Sequence, residues 1–159
     1  MKGASKHQRR TGWALVAGQF ALLAAVVLAA PFVRFDMSPT VRGVGLVIAA
    51  FGVLLAVWAA RHLGDGLTAT PLPNGKVELV TTGPYRFMRH PMYSAVALQA
   101  GGGALALGSF ASLGACGCLV VLLAFKARWE EARLVEAFPG YAGYRDVTPS
   151  FLPRIGAGH

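Results

Sequence analysis

Uncharged stretches alternate with polar ones along this chain. Residues 11–33 contain no Asp, Glu, Lys or Arg, and neither do residues 43–60. After a polar segment, 61–90, a third uncharged stretch runs for 35 residues from 91 to 125. A helix rises about 1.5 Å per residue and a hydrocarbon core is ~30 Å thick, so roughly 20 apolar residues cross it. The first two stretches therefore predict membrane helices at 12–33 and 43–60. The third is too long for one crossing and divides near 108–112, giving short spans at 91–108 and 112–126. Gly101, Gly102 and Gly103 on the first arm, with Gly114 and Gly117 on the second, predict close packing between the two arms. Three successive glycines also suit a kink or an unwound turn. Residues 126–138 read as a helix leaving the membrane, stopped by Pro139 and Gly140.

The connections carry their own signals. Residues 31–42 form a short one with Pro39 as a breaker. Residues 61–90 form the longest, with turn signals at Gly64, Gly66, Pro71, Pro73, Asn74 and Gly75 and a short extended piece expected at 77–81. A loop of this length in a compact protein is more often functional than accidental. Gly43, Gly45 and Gly52 suit close backbone approach between membrane helices. The first apolar run competes with a signal peptide, since Leu28, Ala29 and Ala30 resemble a cleavage site. Signal cores run to only ~7–15 residues, so a retained helix is expected. The expected fold is one all-α integral membrane domain over 1–159, with about four transmembrane helices.

Lys and Arg give the orientation. Four lie in residues 1–10, four in 61–90 and five from Lys126 onward, against Arg34 and Arg42 alone in the opposite connection. By the positive-inside rule the richer side is cytoplasmic, which places both termini and the 61–90 loop there. Composition agrees with a membrane class: charged residues are 14% of the chain, against about 25% in soluble domains. The net charge of +8 is spread rather than run together, which argues for membrane topology and against nucleic acid. The lipid bilayer is the expected partner, and oligomeric state is open. Cys116 and Cys118 point about 200° apart on a helix, so they cannot bridge and read as small packing residues. No zinc-type Cys/His spacing, Ser/His/Asp set or phosphate loop occurs.

Candidate chemistry gathers in two places. In residues 82–93, Tyr85, Arg86, Arg89, His90 and Tyr93 crowd around Pro91. Proline favours the first helical position, so Arg89 and His90 are expected just outside a helix N-terminus, where free N–H groups attract anions. The bland alternative is a helix end anchored to lipid phosphates, with tyrosines in the interfacial belt. The second place is Glu130 with Glu131. Leu134, Val135 and Phe138 stand at i+3, i+4 and i+7 from Glu131, which puts one carboxylate on an apolar stripe. An unpaired charge there is costly, so Glu131 is expected to have a cationic or donor-rich partner. Glu130 has Arg133 and Lys126 within helical reach. The alternative is a pair of ordinary surface charges.

Taken in order, Gly83, Pro84, Tyr85, Arg86, Arg89, His90, Pro91 and Tyr93, an apolar hairpin, then Arg128, Trp129, Glu130, Glu131, Leu134, Phe138, Tyr141, Tyr144, Leu152 and Pro153 resemble the isoprenylcysteine carboxyl methyltransferase family. That family groups with the phospholipid N-methyltransferases among integral membrane methyltransferases. The match covers roughly 79–154, the methyltransferase-like core. Residues 1–78, an N-terminal helix pair and loop, resemble the family only in hydrophobicity.

The resemblance implies S-adenosylmethionine as cofactor, with the cytoplasmic loop and C-terminal helix forming its site. Tyr85, His90, Pro91, Tyr93, Glu130, Glu131 and Tyr144 would contact or shape the pocket. Arg89 and Glu131 would act at the reacting end, and Tyr141 and Tyr144 would help close it. The family often has glycine where Ala95 stands, which leaves less room for backbone approach. The implied reaction is methyl transfer to a lipophilic acceptor, a carboxylate of an isoprenylcysteine-like, prenylated or other lipid substrate. A membrane reductase using a nicotinamide cofactor and a non-enzymatic membrane protein with the same fold are the alternatives.

Overall fold

The computed structural model describes residues 6–64 and 79–153. Among them the chain forms five α-helices and no sheet: α1 (Lys6–Leu28), α2 (Pro39–Leu63), α3 (Pro91–Leu107), α4 (Phe110–Ala137) and α5 (Tyr141–Val147). A 3-10 turn, Gly83–Arg86, precedes α3. The turn signals between Gly66 and Gly75 fall outside the described residues, as does the start of the extended piece expected at 77–81. The remainder of that piece, 79–81, has no regular structure.

Local chemistry sets the helix ends, and it corrects three expectations. Pro39 does not break α2 but opens it. Its missing N–H is one of the orphan donors of a first turn, and the Ser38 hydroxyl accepts the Val41 N–H at 3.3 Å. The hairpin turn is tighter than 108–112. Gly108 takes the left-handed conformation that ends α3, and Ser109 caps α4 by accepting the Ser112 N–H at 3.2 Å. The helix expected separately at 126–138 is the C-terminal part of α4, which ends at Ala137, because no Gly or Pro interrupts residues 118–138.

Three helices, α1, α2 and α4, are long and apolar enough to cross a membrane. The four spans expected from charge-free stretches are thus reduced at one place. With 17 residues α3 is about 25 Å long, shorter than a ~30 Å hydrocarbon core. The helices nevertheless alternate in direction. The α1–α2 connection and the α3–α4 turn meet at one end of the molecule, where the buried Ser109 hydroxyl hydrogen-bonds the Ala29 and Phe32 carbonyls at 3.0 and 2.7 Å. The Phe35 N–H reaches the Gly108 carbonyl at 3.0 Å, and the Phe110 N–H reaches that of Val33 at 3.1 Å. The opposite end holds the start of α3 and the C-terminal segment.

The close packing expected within the α3–α4 hairpin lies instead between α2 and α3. A Cβ on Gly102 would sit 2.5 Å from both the Ala49 nitrogen and the Gly45 oxygen, and one on Gly45 would sit 2.7 Å from the Gly102 oxygen. Gly43, Gly103, Gly114 and Gly117 face open space. α3 stays helical through the three successive glycines, and Gly102 lets α2 touch its backbone. Ala95 is fully buried, and the room it lacks is supplied from across the interface, where a Cβ on Gly52 would lie 2.8 Å from the Ala95 oxygen. This seam fixes α3, and hence its N-terminus, against α2.

Candidate functional site

The N-terminus of α3 is built as the proline predicts. Pro91 is the first helical residue and His90 the capping position. His90 does not cap with its side chain, so its imidazole is free to turn towards α4. Arg89 goes the same way. Its Nε and Nη2 meet Glu131 Oε1 at 3.0 and 2.9 Å, and His90 Nε2 meets the same oxygen at 2.9 Å. That imidazole bond to a carboxylate requires the proton on Nε2. The charge on the apolar stripe therefore has the cationic, donor-rich partner its position demands. Both side chains of the ion pair are nearly buried, Arg89 at 11% and Glu131 at 14% exposure.

Glu130 faces a different partner from those its helix offers. Its Oε2 accepts the Tyr93 hydroxyl at 2.7 Å and stands 3.9 Å from His90 Nδ1. The Tyr93 and His90 rings stack, 5.3 Å apart and 2° from parallel. Neither neighbour expected along the helix pairs with Glu130. Arg133 lies over the Trp129 ring at 3.2 Å. Lys126 hydrogen-bonds Gln19 on α1 at 2.7 Å.

The C-terminal segment closes over this group. The Arg89 and His90 N–H groups donate to the Pro149 and Ser150 carbonyls, each at 2.9 Å. Arg89 Nη1 donates to the Arg145 carbonyl at 2.8 Å and also to that of Thr148. Ser94 Oγ donates to the Phe151 carbonyl at 2.7 Å. The Tyr144 hydroxyl donates to the Tyr85 carbonyl, tying α5 to the 3-10 turn.

The phenols around this charged group stay protonated. Burial pushes Tyr144 up to about 12, with Arg89 opposing and Glu131 adding to the rise. Burial, then the nearby Glu130 carboxylate, raises Tyr85 further. Burial, then Glu131, raises Tyr141. Tyr141 is almost fully buried, and among the described residues its hydroxyl has no hydrogen-bond partner. An orphaned buried hydroxyl costs about 1–3 kcal/mol, so the Tyr141 hydroxyl calls for a water or a ligand as its partner.

The structure thus brings together Tyr85, Arg89, His90, Pro91, Tyr93, Glu130, Glu131 and Tyr144 from three separate segments of the chain. Arg86 stays apart, its guanidinium 6.0 Å from the Phe87 ring centre. Sequence reasoning missed Ser94, Ser150 and Phe151, which come from a helix face and a tail with no periodic signal. It also missed Gln19, the one amide side chain in the first uncharged stretch. Among the described residues no three His, Cys, Asp or Glu side chains are placed to hold a metal ion.

The family model described as phospholipid methyltransferase matches residues 41–140, which takes in all but the first two residues of α2, and all of α3 and α4. Two curated relatives are similar over most of the chain. The cobalt-zinc-cadmium resistance protein CzcN of Cupriavidus metallidurans is 31% identical over 75% of this chain and 52% of its own length. The nickel-cobalt-cadmium resistance protein NccN of Alcaligenes xylosoxydans xylosoxydans is 34% identical over 73% of this chain and 50% of its own. The chain spans about half the length of these relatives. The narrower resemblance to isoprenylcysteine carboxyl methyltransferases, a related branch, is met at the level of the wider group: the chain belongs to the phospholipid methyltransferase family.

Proposed function

We propose that this protein transfers a methyl group from S-adenosylmethionine to a lipophilic acceptor, with the cluster at the start of α3 as its site. The observation that carries this reading is the meeting of the Arg89-His90-Pro91 segment with Glu130 and Glu131 beside the buried, unpartnered Tyr141 hydroxyl. The residues fit the cofactor's amino-acid end, which carries an ammonium and a carboxylate. Glu130 and Glu131 suit the ammonium. The Tyr141 hydroxyl and the first turn of α3 suit the carboxylate. When bound, the cofactor supplies an electrophilic methyl on a sulfonium: the carbon–sulfur bond breaks as the bond to the acceptor's lone pair forms, leaving a neutral thioether.

The chain's own part is binding, orientation and exclusion of water. Arg89 holds Glu131 with two donors and clamps the C-terminal segment with a third. The raised phenols present hydroxyls rather than phenolates to the charged group, and Tyr144 fastens α5 over it. A carboxylate acceptor needs no general base. An amine acceptor, which membership of a phospholipid methyltransferase family supports, must arrive unprotonated, and His90 or a glutamate would then take the proton. The acceptor enters from the bilayer because the helices around the site expose apolar side chains outward. In this reading α3 is a short fourth span, and the site and both termini are cytoplasmic.

Titration of detergent-solubilised protein with S-adenosylmethionine and, separately, with a reduced nicotinamide dinucleotide tests this. Binding of the first alone is expected. Binding of the second alone would replace the proposal with a reductase, and binding of neither would leave a non-enzymatic membrane protein.

The relatives' names favour a second role, in resistance to cobalt, zinc, cadmium or nickel. It is compatible with lipid methylation, which changes the head groups that meet cations at the membrane. Growth in graded cobalt and cadmium, with and without the gene, tests it.

A further inference from the structure

Lys126 is an unusual residue in this fold. It ends the 35-residue uncharged stretch, yet it is turned inward and is only 3% exposed. A buried ammonium is expensive unless it is paired. No carboxylate lies within ion-pair distance of it among the described residues. Its Nζ has two neighbours instead: the neutral Gln19 amide oxygen of α1 at 2.7 Å, and the face of the Tyr93 ring, 5.0 Å from its centre. Lys126 and Glu130 stand one helical turn apart on α4, and both reach the same ring. Glu130 holds the Tyr93 hydroxyl at 2.7 Å, while Lys126 lies over the ring itself. The Tyr93 ring in turn stacks on His90, whose Nε2 bonds Glu131. A continuous set of contacts therefore runs from α1 into the charged cluster, and its first member, Gln19, lies outside the residues 41–140 that the family model matches.

We propose that Lys126 is a positioning residue: held by Gln19, it fixes the Tyr93 ring between α4 and His90, and so makes α1 a working part of the site rather than only a membrane anchor. The inference rests on the same cluster as the proposed function. A cation over a ring is attracted to its π face and strengthens when water is excluded, so Lys126 orients Tyr93 without touching any bound molecule. It also draws electron density from the ring, which makes the phenol a better donor to Glu130.

The test reads the His90 ring directly. Protein with isotopically labelled histidines is placed in lipid nanodiscs, and the His90 signal is identified by its loss in His90→Gln. Because Tyr93 stacks on that ring, a displaced Tyr93 changes its ring-current shift. Lys126→Met, which keeps the stem and removes a buried charge, is expected to move the signal. Lys126→Arg is expected to return it towards the native position, and Gln19→Leu to move it in the same direction as Lys126→Met. An unmoved signal in Lys126→Met overturns the proposal. A shift that Lys126→Arg does not reverse also overturns it, since space-filling alone would explain that result. S-adenosylmethionine binding by the unaltered protein is measured alongside. Its absence would end the methyltransferase reading while leaving the His90 result to decide the role of Lys126.

Discussion

Arg89 and Glu131, 42 positions apart in sequence, meet with two nitrogens of one guanidinium on a single carboxylate oxygen, at 3.0 and 2.9 Å. The pair joins the start of α3 to the last third of α4. The remaining guanidinium nitrogen, Nη1, holds the Arg145 carbonyl in α5 and the Thr148 carbonyl just after it. One side chain thus connects three segments, and its loss disturbs all of them.

The first prediction follows from that pair. Glu131→Gln leaves Arg89 and His90 facing a neutral amide. A hydrogen bond to a charged group contributes about 1.5–3 kcal/mol, so a loss of that order in stability is expected. Cofactor affinity should fall roughly ten- to 150-fold by the same arithmetic. Arg89→Lys should also be damaging, because a single ammonium cannot reach Glu131 and the Arg145 and Thr148 carbonyls together. Glu136→Gln, on the exposed part of the same helix, is the control and should change neither. Thermal unfolding and S-adenosylmethionine binding of the three variants give the answer. Equal behaviour of Glu131→Gln and Glu136→Gln would remove the pair from the site.

Adjacent glycines of α3 should respond in opposite ways. A Cβ on Gly102 would overlap the α2 backbone at Ala49 and Gly45, whereas one on Gly103 meets nothing within 4 Å. Backbone atoms cannot step aside as a flexible side chain can. Gly102→Ala should therefore cost at least the ~1–3 kcal/mol typical of overpacking. Gly103→Ala should be neutral or stabilising by up to about 1 kcal/mol, the helix preference for alanine over glycine. Unfolding of the two variants in the same detergent distinguishes them. Equal losses would mean that the α2–α3 seam is not in contact at Gly102.

These residues also show what a sequence reveals and what it hides. The start of α3 is legible because Pro91 has few other places to sit, and the need of Glu131 for a partner is legible because its neighbours along the stripe are apolar. Which cation answers that need is not legible, since Arg86, Arg89 and His90 lie within five residues and only the turn at Gly83–Arg86 separates them. Small residues announce close helix contact without saying with which helix, so α3 was expected on α4 and packs on α2. Pro39 is ambiguous in itself, and Ser38 before it decides for a helix start. The Gln19–Lys126 pair spans 107 positions and has no local signature. The tail over the site is held mostly through backbone carbonyls, which any sequence supplies.

Alkaline pH should loosen that tail. Tyr144 is pushed from its ordinary value of 10.0 up to about 12, chiefly by burial. Between those values the unfolded chain gives up its proton while the folded one keeps it. The unfolded state then binds fewer protons, so stability falls with rising pH. The contribution is fully present below pH 10 and is lost as pH passes through about 12, where a phenolate can no longer donate to the Tyr85 carbonyl. Tyr144→Phe should be less stable at pH 8 but should show a shallower decline above pH 10. Parallel curves for the two proteins would mean that Tyr144 is not protected by the fold.

Orientation gives the last prediction. The end of the molecule knotted by Ser109 carries Arg34 and Arg42, whereas the end holding the site carries the other described Lys and Arg residues. By the charge rule the richer end is expected to be cytoplasmic, with every site residue on that side. Asp36 and Asp146 are exposed, one at each end, and can be replaced without touching the core. With Cys116 and Cys118 changed to alanine, Asp36→Cys should react with a membrane-impermeant thiol reagent applied to intact cells. Asp146→Cys should react only after the membrane is opened. Labelling of Asp146→Cys but not Asp36→Cys in intact cells would turn the protein over and put the proposed site outside, away from the cytoplasmic supply of S-adenosylmethionine. Labelling of both from outside would mean that α3 does not cross, and that the chain has three spans rather than four.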